Sequence, residues 1–195
     1  MCKIGLKTPA GANSMIGSKE ISQEGSTFAP AYHNMKVAKR FRWEGAHRLP
    51  WHTGGCQNLH GHSYHMWVEL KAGTVPGGMV MDFKAIKNVL QPLLDAWDHA
   101  TLVSVDDVQL LKAIDLLQTK HYILPYDTTS ENICLYITEY LAVHALSILE
   151  ANGIEAVEVR LHETETCFAA YEVTVAQMKA NLPQINLTEL LKCSN

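Results

Sequence analysis

His60-Gly61-His62-Ser63-Tyr64-His65-Met66-Trp67-Val68-Glu69-Leu70 is a stretch whose side chains sort cleanly by parity. Successive side chains of an extended chain point to opposite faces. Tyr64, Met66, Val68 and Leu70 therefore share one face, and His65, Trp67 and Glu69 share the other. That alternation predicts a strand with one buried side. His60 and His62 stand two residues apart at its start, so both imidazoles project from one face. Upstream, the apolar residues from Val37 to Trp43 also alternate, and Phe41, Trp43 and Leu49 share parity with His47. If that stretch is one regular strand, His47 points to their face, and two neighbouring strands deliver three imidazoles to one point above a sheet.

Three neutral imidazoles hold a zinc ion with a fourth position open to water or substrate, which distinguishes a catalytic site from a structural one. Cys56 lies four residues before His60. Its thiol is a base or nucleophile once its pKa is lowered; it is also placed to be a fourth protein ligand, and both readings stand at this point. Pro50-Trp51-His52-Thr53-Gly54-Gly55 between the two strands is a loop by its Pro and Gly content.

Downstream, Val75-Pro76-Gly77-Gly78 reads as a turn and Met79-Val80-Met81 as the closing strand of a hairpin. Asp82 is a helix cap, followed by Phe83, Ile86, Val89, Leu90, Leu93, Leu94 and Trp97 at helical spacing, with Pro92 expected to bend the helix. Residues 106–118 read as a shorter amphipathic helix and His121 to Leu124 as a linking extended piece. Thr128 and Glu131 form a capping box that opens a second long helix ending at Gly153. Two strands follow, Glu155 to Glu163 and Cys167 to Val173. Two strands, two main helices and two strands make an α+β domain, an antiparallel sheet carrying its helices.

Two further features carry chemistry. Asp98-His99 follows the first helix, where a carboxylate orients an imidazole and keeps its pKa near neutral. Glu163 shares parity with Val157, Val159 and Leu161 and so aims at the buried face. A carboxylate there requires a partner, and a ligand edge with two parallel N–H donors meets it in bidentate fashion.

Composition narrows the class. The chain has 195 residues, 47% of them hydrophobic and 18% charged, which suits an ordinary folded domain. A formal net charge of −4 with no basic run gives no reason to expect nucleic acid. The five cysteines are odd in number and scattered without a C-x-x-C pair, so a reducing, cytoplasmic compartment fits best. No run of the roughly 18 apolar residues needed for a membrane span is read. Residues 1–34, rich in Gly, Ser, Ala and Lys and without periodicity, read as a flexible extension. Residues 35–195 read as a single catalytic domain with a C-terminal tail.

Several segments together resemble the 6-pyruvoyl-tetrahydropterin synthase and 6-carboxy-tetrahydropterin synthase family. They are Gly45-Ala46-His47-Arg48-Leu49-Pro50, Cys56-Gln57-Asn58-Leu59-His60-Gly61-His62-Ser63-Tyr64, Gly78-Met79-Val80-Met81-Asp82-Phe83, Trp97-Asp98-His99, Thr129-Ser130-Glu131-Asn132 and His162-Glu163-Thr164. The likeness covers residues 35 to about 173, in the family's order. It implies a T-fold: a four-stranded antiparallel sheet with two main helices on one face. It implies His47, His60 and His62 as zinc ligands and Cys56 as proton acceptor, with Asp98 and His99 as an acid/base relay. Glu163 then anchors the amino-pyrimidine edge of a pterin, and Thr129 belongs to the same substrate contact. It implies a homo-oligomer, either a trimer-based hexamer or a tetramer, with active sites between subunits.

The pyruvoyl-forming members carry a longer spacer between the cysteine and the first histidine of His-Gly-His. Here the spacer is Gln57-Asn58-Leu59, which resembles the carboxy-forming, queuosine-pathway branch. The resemblance implies a lyase acting on 7,8-dihydroneopterin triphosphate. Elimination of triphosphate alone, giving 6-pyruvoyl-tetrahydropterin, is the alternative within enzymes. A non-catalytic zinc-containing pterin-binding protein is the alternative from another class. Thr128 replaces the proline that usually precedes the Thr-x-Glu-Asn segment, and both residues suit a helix start. His52, His65 and His162 are spare imidazoles without an assigned role.

Overall fold

A computed structural model describes residues 34–73, 75 and 78–185. Of the expected extension over 1–34 all but Asn34 lies outside the described residues, as do the centre of the 75–78 turn, Cys2 and Cys193.

The alternating stretches form the two longest strands, β1 (Met35–His47) and β2 (His60–Ala72). They pair antiparallel along their whole length, from Met35 opposite Ala72 to His47 opposite His60. Phe41, Trp43, Tyr64, Met66, Val68 and Leu70 all face the core. A slip of one residue would turn that set to solvent, so burial fixes the register. The register places the three histidines together at one end of the sheet.

β5 (Ile154–His162) pairs antiparallel with β2, and β6 (Phe168–Thr174) pairs antiparallel with β5. The expected four-stranded antiparallel sheet is therefore present, but it is only part of the whole. β3 (Ala100–Ser104) and β4 (His121–Leu124) add two parallel strands beyond β1, giving a mixed six-stranded sheet in the order β4-β3-β1-β2-β5-β6. The reason lies in burial. Ala100, Leu102, Val103 and Ser104 are all buried, so β3 shows no alternation, as expected of a parallel strand covered on both faces. Leu102 joins the main core, while Val103 packs with Leu110 and Ile114 of α2 (Val108–Leu117) in a separate cluster. α2 is thus the crossover between two parallel strands. His121 to Leu124 is a sheet strand and not a linker.

α1 (Phe83–Trp97) starts where expected: the Asp82 carboxylate accepts from the Lys84 N–H. It continues as one element across Pro92. The hairpin strand expected at Met79–Met81 is absent; Val80 and Met81 are buried in an irregular segment that leads into the Asp82 cap. Three apolar residues are too few for periodicity to separate a strand from a buried coil.

α3 (Ser130–Ala151) is capped one residue later than the capping-box reading predicts. The Thr129 hydroxyl, not that of Thr128, accepts from the Asn132 N–H at 3.3 Å. Thr128 is turned inward and buried. By length and mean hydropathy (1.4) α3 is apolar enough to cross a membrane, yet Ile133, Ile137, Leu141 and Leu149 pack into the main core. α4 (Val175–Asn181) starts with a full capping box between Thr174 and Gln177, buries Val175 and Met178, and leads into a 3-10 turn over Leu182–Gln184.

Candidate metal centre and active site

The end of the β1–β2 ladder brings His47, His60 and His62 together, with one ligand atom from each lying within 4.8 Å of the others. The ring centroids are 4.7 to 5.2 Å apart. Their hydrogen bonds set the tautomers. His47 Nδ1 lies 2.7 Å from the Thr128 carbonyl, and His60 Nδ1 lies 2.8 Å from the Asn58 carbonyl. A carbonyl only accepts, so both Nδ1 atoms carry the proton and both Nε2 atoms keep a lone pair. A carbonyl on the far nitrogen is the usual support of a metal-binding imidazole. His47 Nε2 is buried and without a partner. Burial lowers the pKa of His47, against the Thr128 bond and the Glu163 charge, which raise it. A neutral, oriented ring with an unused lone pair suits a cation. The residues present fit a metal.

Cys56 stands outside this group of three. It sits in a single turn of 3-10 helix (Gly55–Gln57), half-buried, and its carbonyl accepts from the Leu49 N–H at 2.8 Å. The loop is therefore pinned across its base, immediately before the histidine strand.

Glu163 follows the last residue of β5 and keeps the inward direction that its parity predicts. Its Oε1 is buried without a hydrogen bond and lies 3.8 Å from His47 Nε2. Glu163 also borders an open hollow together with Ser63, His65 and His162. His65 Nδ1 accepts from Arg40 there at 2.6 Å.

Asp98 and His99 form a close pair: Asp98 Oδ2 lies 2.9 Å from His99 Nδ1. Asp98 Oδ1 accepts from the Glu44 N–H at 3.0 Å. That backbone bond, and then His99, hold the Asp98 carboxyl below the usual carboxylate range. His99 is strongly exposed and has φ of 58°, the left-handed region. The pair lines a hollow between β1 and α1 with Glu44, Gln91 and Asp95. Asp98 is tied to Glu44, His99 and Lys120. No hydrogen bond or ion pair among the described residues joins the pair to Cys56 or to the histidines. Thr129 spends its hydroxyl on the α3 cap.

Four contributors escape the sequence reading. The carbonyls of Thr128 and Asn58 have no side-chain signature. Tyr64 shares parity with His62, a signal that was available; its hydroxyl is buried and unpartnered beside them. Arg48, next to His47, forms a two-pronged bond with Asp107, both distances 2.6 Å, and Asp107 also caps α2. The Thr128 hydroxyl donates to the Arg48 carbonyl. The chain around His47 is thereby held from the α2 side and the α3 side together.

The chain is similar to known proteins along most of its length. Residues 36–174 match the family described as 6-pyruvoyl tetrahydropterin synthase. The 6-carboxy-5,6,7,8-tetrahydropterin synthase of Haemophilus influenzae is 32% identical over 145 residues, covering 70% of this chain and 98% of that protein. The protein of the same name from Rickettsia typhi is 31% identical, covering 69% and 97%. Among solved structures, the 6-pyruvoyl tetrahydropterin synthase of Plasmodium vivax has a TM-score of 0.60 at 18% identity, covering 73% of this chain and 99% of that one. At that identity the likeness concerns the fold.

Proposed function

Because the chain belongs to the 6-pyruvoyl tetrahydropterin synthase family, we propose that it is a zinc-dependent carbon–carbon lyase of the carboxy-forming branch. Its substrate is 7,8-dihydroneopterin triphosphate. One water is consumed, and the products are 6-carboxy-5,6,7,8-tetrahydropterin, acetaldehyde and triphosphate. The product serves queuosine and other 7-deazapurines, made in the cytoplasm. The observation that carries this reading is the buried, unpartnered Glu163 Oε1 at 3.8 Å from the free Nε2 of His47. A ring-recognition carboxylate and a metal-binding imidazole converge on one spot. The names of relatives that are matched over nearly their whole length support the carboxy branch.

Zinc bound by His47, His60 and His62 supplies a Lewis acid that makes the substrate's side-chain hydroxyls and adjacent C–H bonds more acidic. Glu163 takes the two N–H donors of the amino-pyrimidine edge and so fixes the ring. Thr129, at the start of α3, flanks the same edge. Cys56, as thiolate, removes a proton from the side chain. Asp98 orients His99, which returns protons to the leaving and ring positions. Asp98 and His99 are bonded to each other and to Glu44 rather than to Cys56. The pair therefore serves a site completed by a neighbouring subunit, in a trimer-based hexamer or a tetramer.

Incubation of the zinc-loaded protein with 7,8-dihydroneopterin triphosphate tests this reading. Acetaldehyde and a carboxy-pterin are expected. Triphosphate without acetaldehyde would place the chain in the pyruvoyl-forming branch, and no turnover would make it a binding protein.

A further inference from the structure

Tyr64 is fully buried, and its hydroxyl has no hydrogen-bond partner. A buried hydroxyl left unpaired costs about 1–3 kcal/mol, a cost that phenylalanine at the same place avoids. What stands near this hydroxyl is the question. His65 pairs with His162 across the β2–β5 ladder. The pairing ends there, and Tyr64 and Glu163 are the next residues along the two strands, just past the end of the ladder. Both are on the core side, since Tyr64 packs in the core and Glu163 Oε1 is buried.

The tyrosine ring is fixed from two directions. Trp43 stacks on it at 4.9 Å with planes 14° apart. A side-chain carbon at Gly45 would lie 3.4 Å from Tyr64 Cε2, so the ring leans toward the row that holds His62, opposite Gly45. Its centroid is 5.5 Å from that of His62 and 6.1 Å from that of His47. The hydroxyl is held beneath the imidazoles and cannot swing out to solvent.

Glu163 has the complementary deficit. Its Oε1 faces His47 Nε2, and the tautomer fixed by Thr128 makes that nitrogen a lone pair. That nitrogen offers Glu163 no proton, and Glu163 Oε1 has no hydrogen bond. A carboxylate accepts about four hydrogen bonds, more than the two N–H donors of a ring edge supply. An unpaired buried donor just past the end of the same ladder is the Tyr64 hydroxyl.

We infer that Tyr64 is a positioning residue for Glu163: its hydroxyl donates to the carboxylate in the ligand-bound site and sets the angle at which the carboxylate meets the ring. The inference rests on the reading of Glu163 as the ring anchor. Tyr64 touches no reacting atom; it acts through Glu163 alone.

A double-mutant cycle read by equilibrium binding of pterin, followed by fluorescence on the zinc-loaded full chain, tests it. Tyr64→Phe is expected to weaken pterin binding about tenfold, with zinc content unchanged and Tm unchanged or higher, because an unpaired hydroxyl is removed. In a Glu163→Gln background the same change is expected to alter binding less than twofold. An equal loss in both backgrounds would overturn the coupling, as would unaltered binding in Tyr64→Phe alone. A lower Tm in Tyr64→Phe would overturn it too, by showing that the hydroxyl serves the fold. In steady state, KM should rise with kcat within twofold, and a fall confined to kcat would refute a positioning role. If the unmutated protein binds pterin but the cycle is additive, this inference alone fails. If it binds no pterin at all, the assignment of Glu163 fails and the inference falls with it.

Discussion

Replacing Cys56 by alanine separates the two roles that a thiol beside three imidazoles can have. In the structure Cys56 lies outside the group whose ligand atoms converge within 4.8 Å, and the carbonyl of its one-turn helix holds the loop through Leu49. That backbone bond survives truncation of the side chain, so Cys56→Ala should fold and load zinc normally. What it removes is the proposed proton acceptor. A positioned acid/base group contributes on the order of 10²–10⁴ in rate, equivalent to about 2.7–5.4 kcal/mol of barrier. The assay is kcat for acetaldehyde release together with zinc per chain from the same sample. A loss in that range at full zinc is the expected result. Loss of zinc in Cys56→Ala would make the thiol a metal ligand and close the open position that the mechanism needs. Turnover near the unmutated rate at full zinc would refute the proton-acceptor role outright. Glu163→Gln is the control, since it should raise KM through the lost ring contact while zinc and the alkylation rate of Cys56 stay unchanged.

Further outcomes follow from the same contacts. His60→Ala should lose most of its zinc, because an open site with two protein ligands binds weakly; metal analysis showing full occupancy would exclude this ligand set. Asp107→Asn keeps an α2 cap but breaks the half-buried pair with Arg48. It should cost about 3 kcal/mol, a Tm lowered by roughly 6–12 °C for a chain of this size. Arg48 holds the Asp107 carboxyl below its ordinary range, so this stabilisation is complete above the unfolded value near 4. It is lost as the pH falls toward the folded value. The Tm difference between Asp107→Asn and the parent should accordingly be constant from about pH 8 to 5 and shrink below about pH 4; a difference that disappears between pH 7 and 5 would assign it to another group. Deleting residues 1–34 should leave turnover within about twofold, since that stretch offers no periodic apolar face, and a large loss in activity would show that it belongs to the assembly.

The strongest patterns in the chain were read correctly because one physical rule governs them. Alternation in Tyr64, Met66, Val68 and Leu70 identifies β2, and the helical recurrence from Phe83 to Trp97 identifies α1. Burial on a single face enforces both. β3 escaped because Leu102 and Val103 are buried on opposite faces, which erases the alternation that would have marked it. Met79–Met81 differs from the expected strand for the converse reason: Val80 and Met81 are buried without pairing, while Met79 is exposed. Adjacent threonines made the α3 cap ambiguous by one residue. The choice fell to Thr129 because Thr128 is drawn inward toward Arg48 and His47.

The candidate site divides along the same line. Side chains with an unusual donor set, the three histidines and the inward Glu163, were visible because chemistry and parity agree. The groups that orient them were not, because a carbonyl at Thr128 and another at Asn58 look like every other carbonyl until the chain has folded. Their positions depend on where the strands stop. β1 ends at His47 and β2 begins at His60, while β5 stops at His162. β2 therefore runs five residues past the end of its ladder with β5, over His60 to Tyr64. Glu163 turns into that notch, and the start of α3 brings Thr128 against His47. Had β5 continued for two more residues, the ladder would have filled the space, and the carboxylate would have had no open edge at which to meet a planar ligand. The stagger of three strand ends, more than any one residue, leaves the space in which the proposed pterin would lie beside the proposed metal.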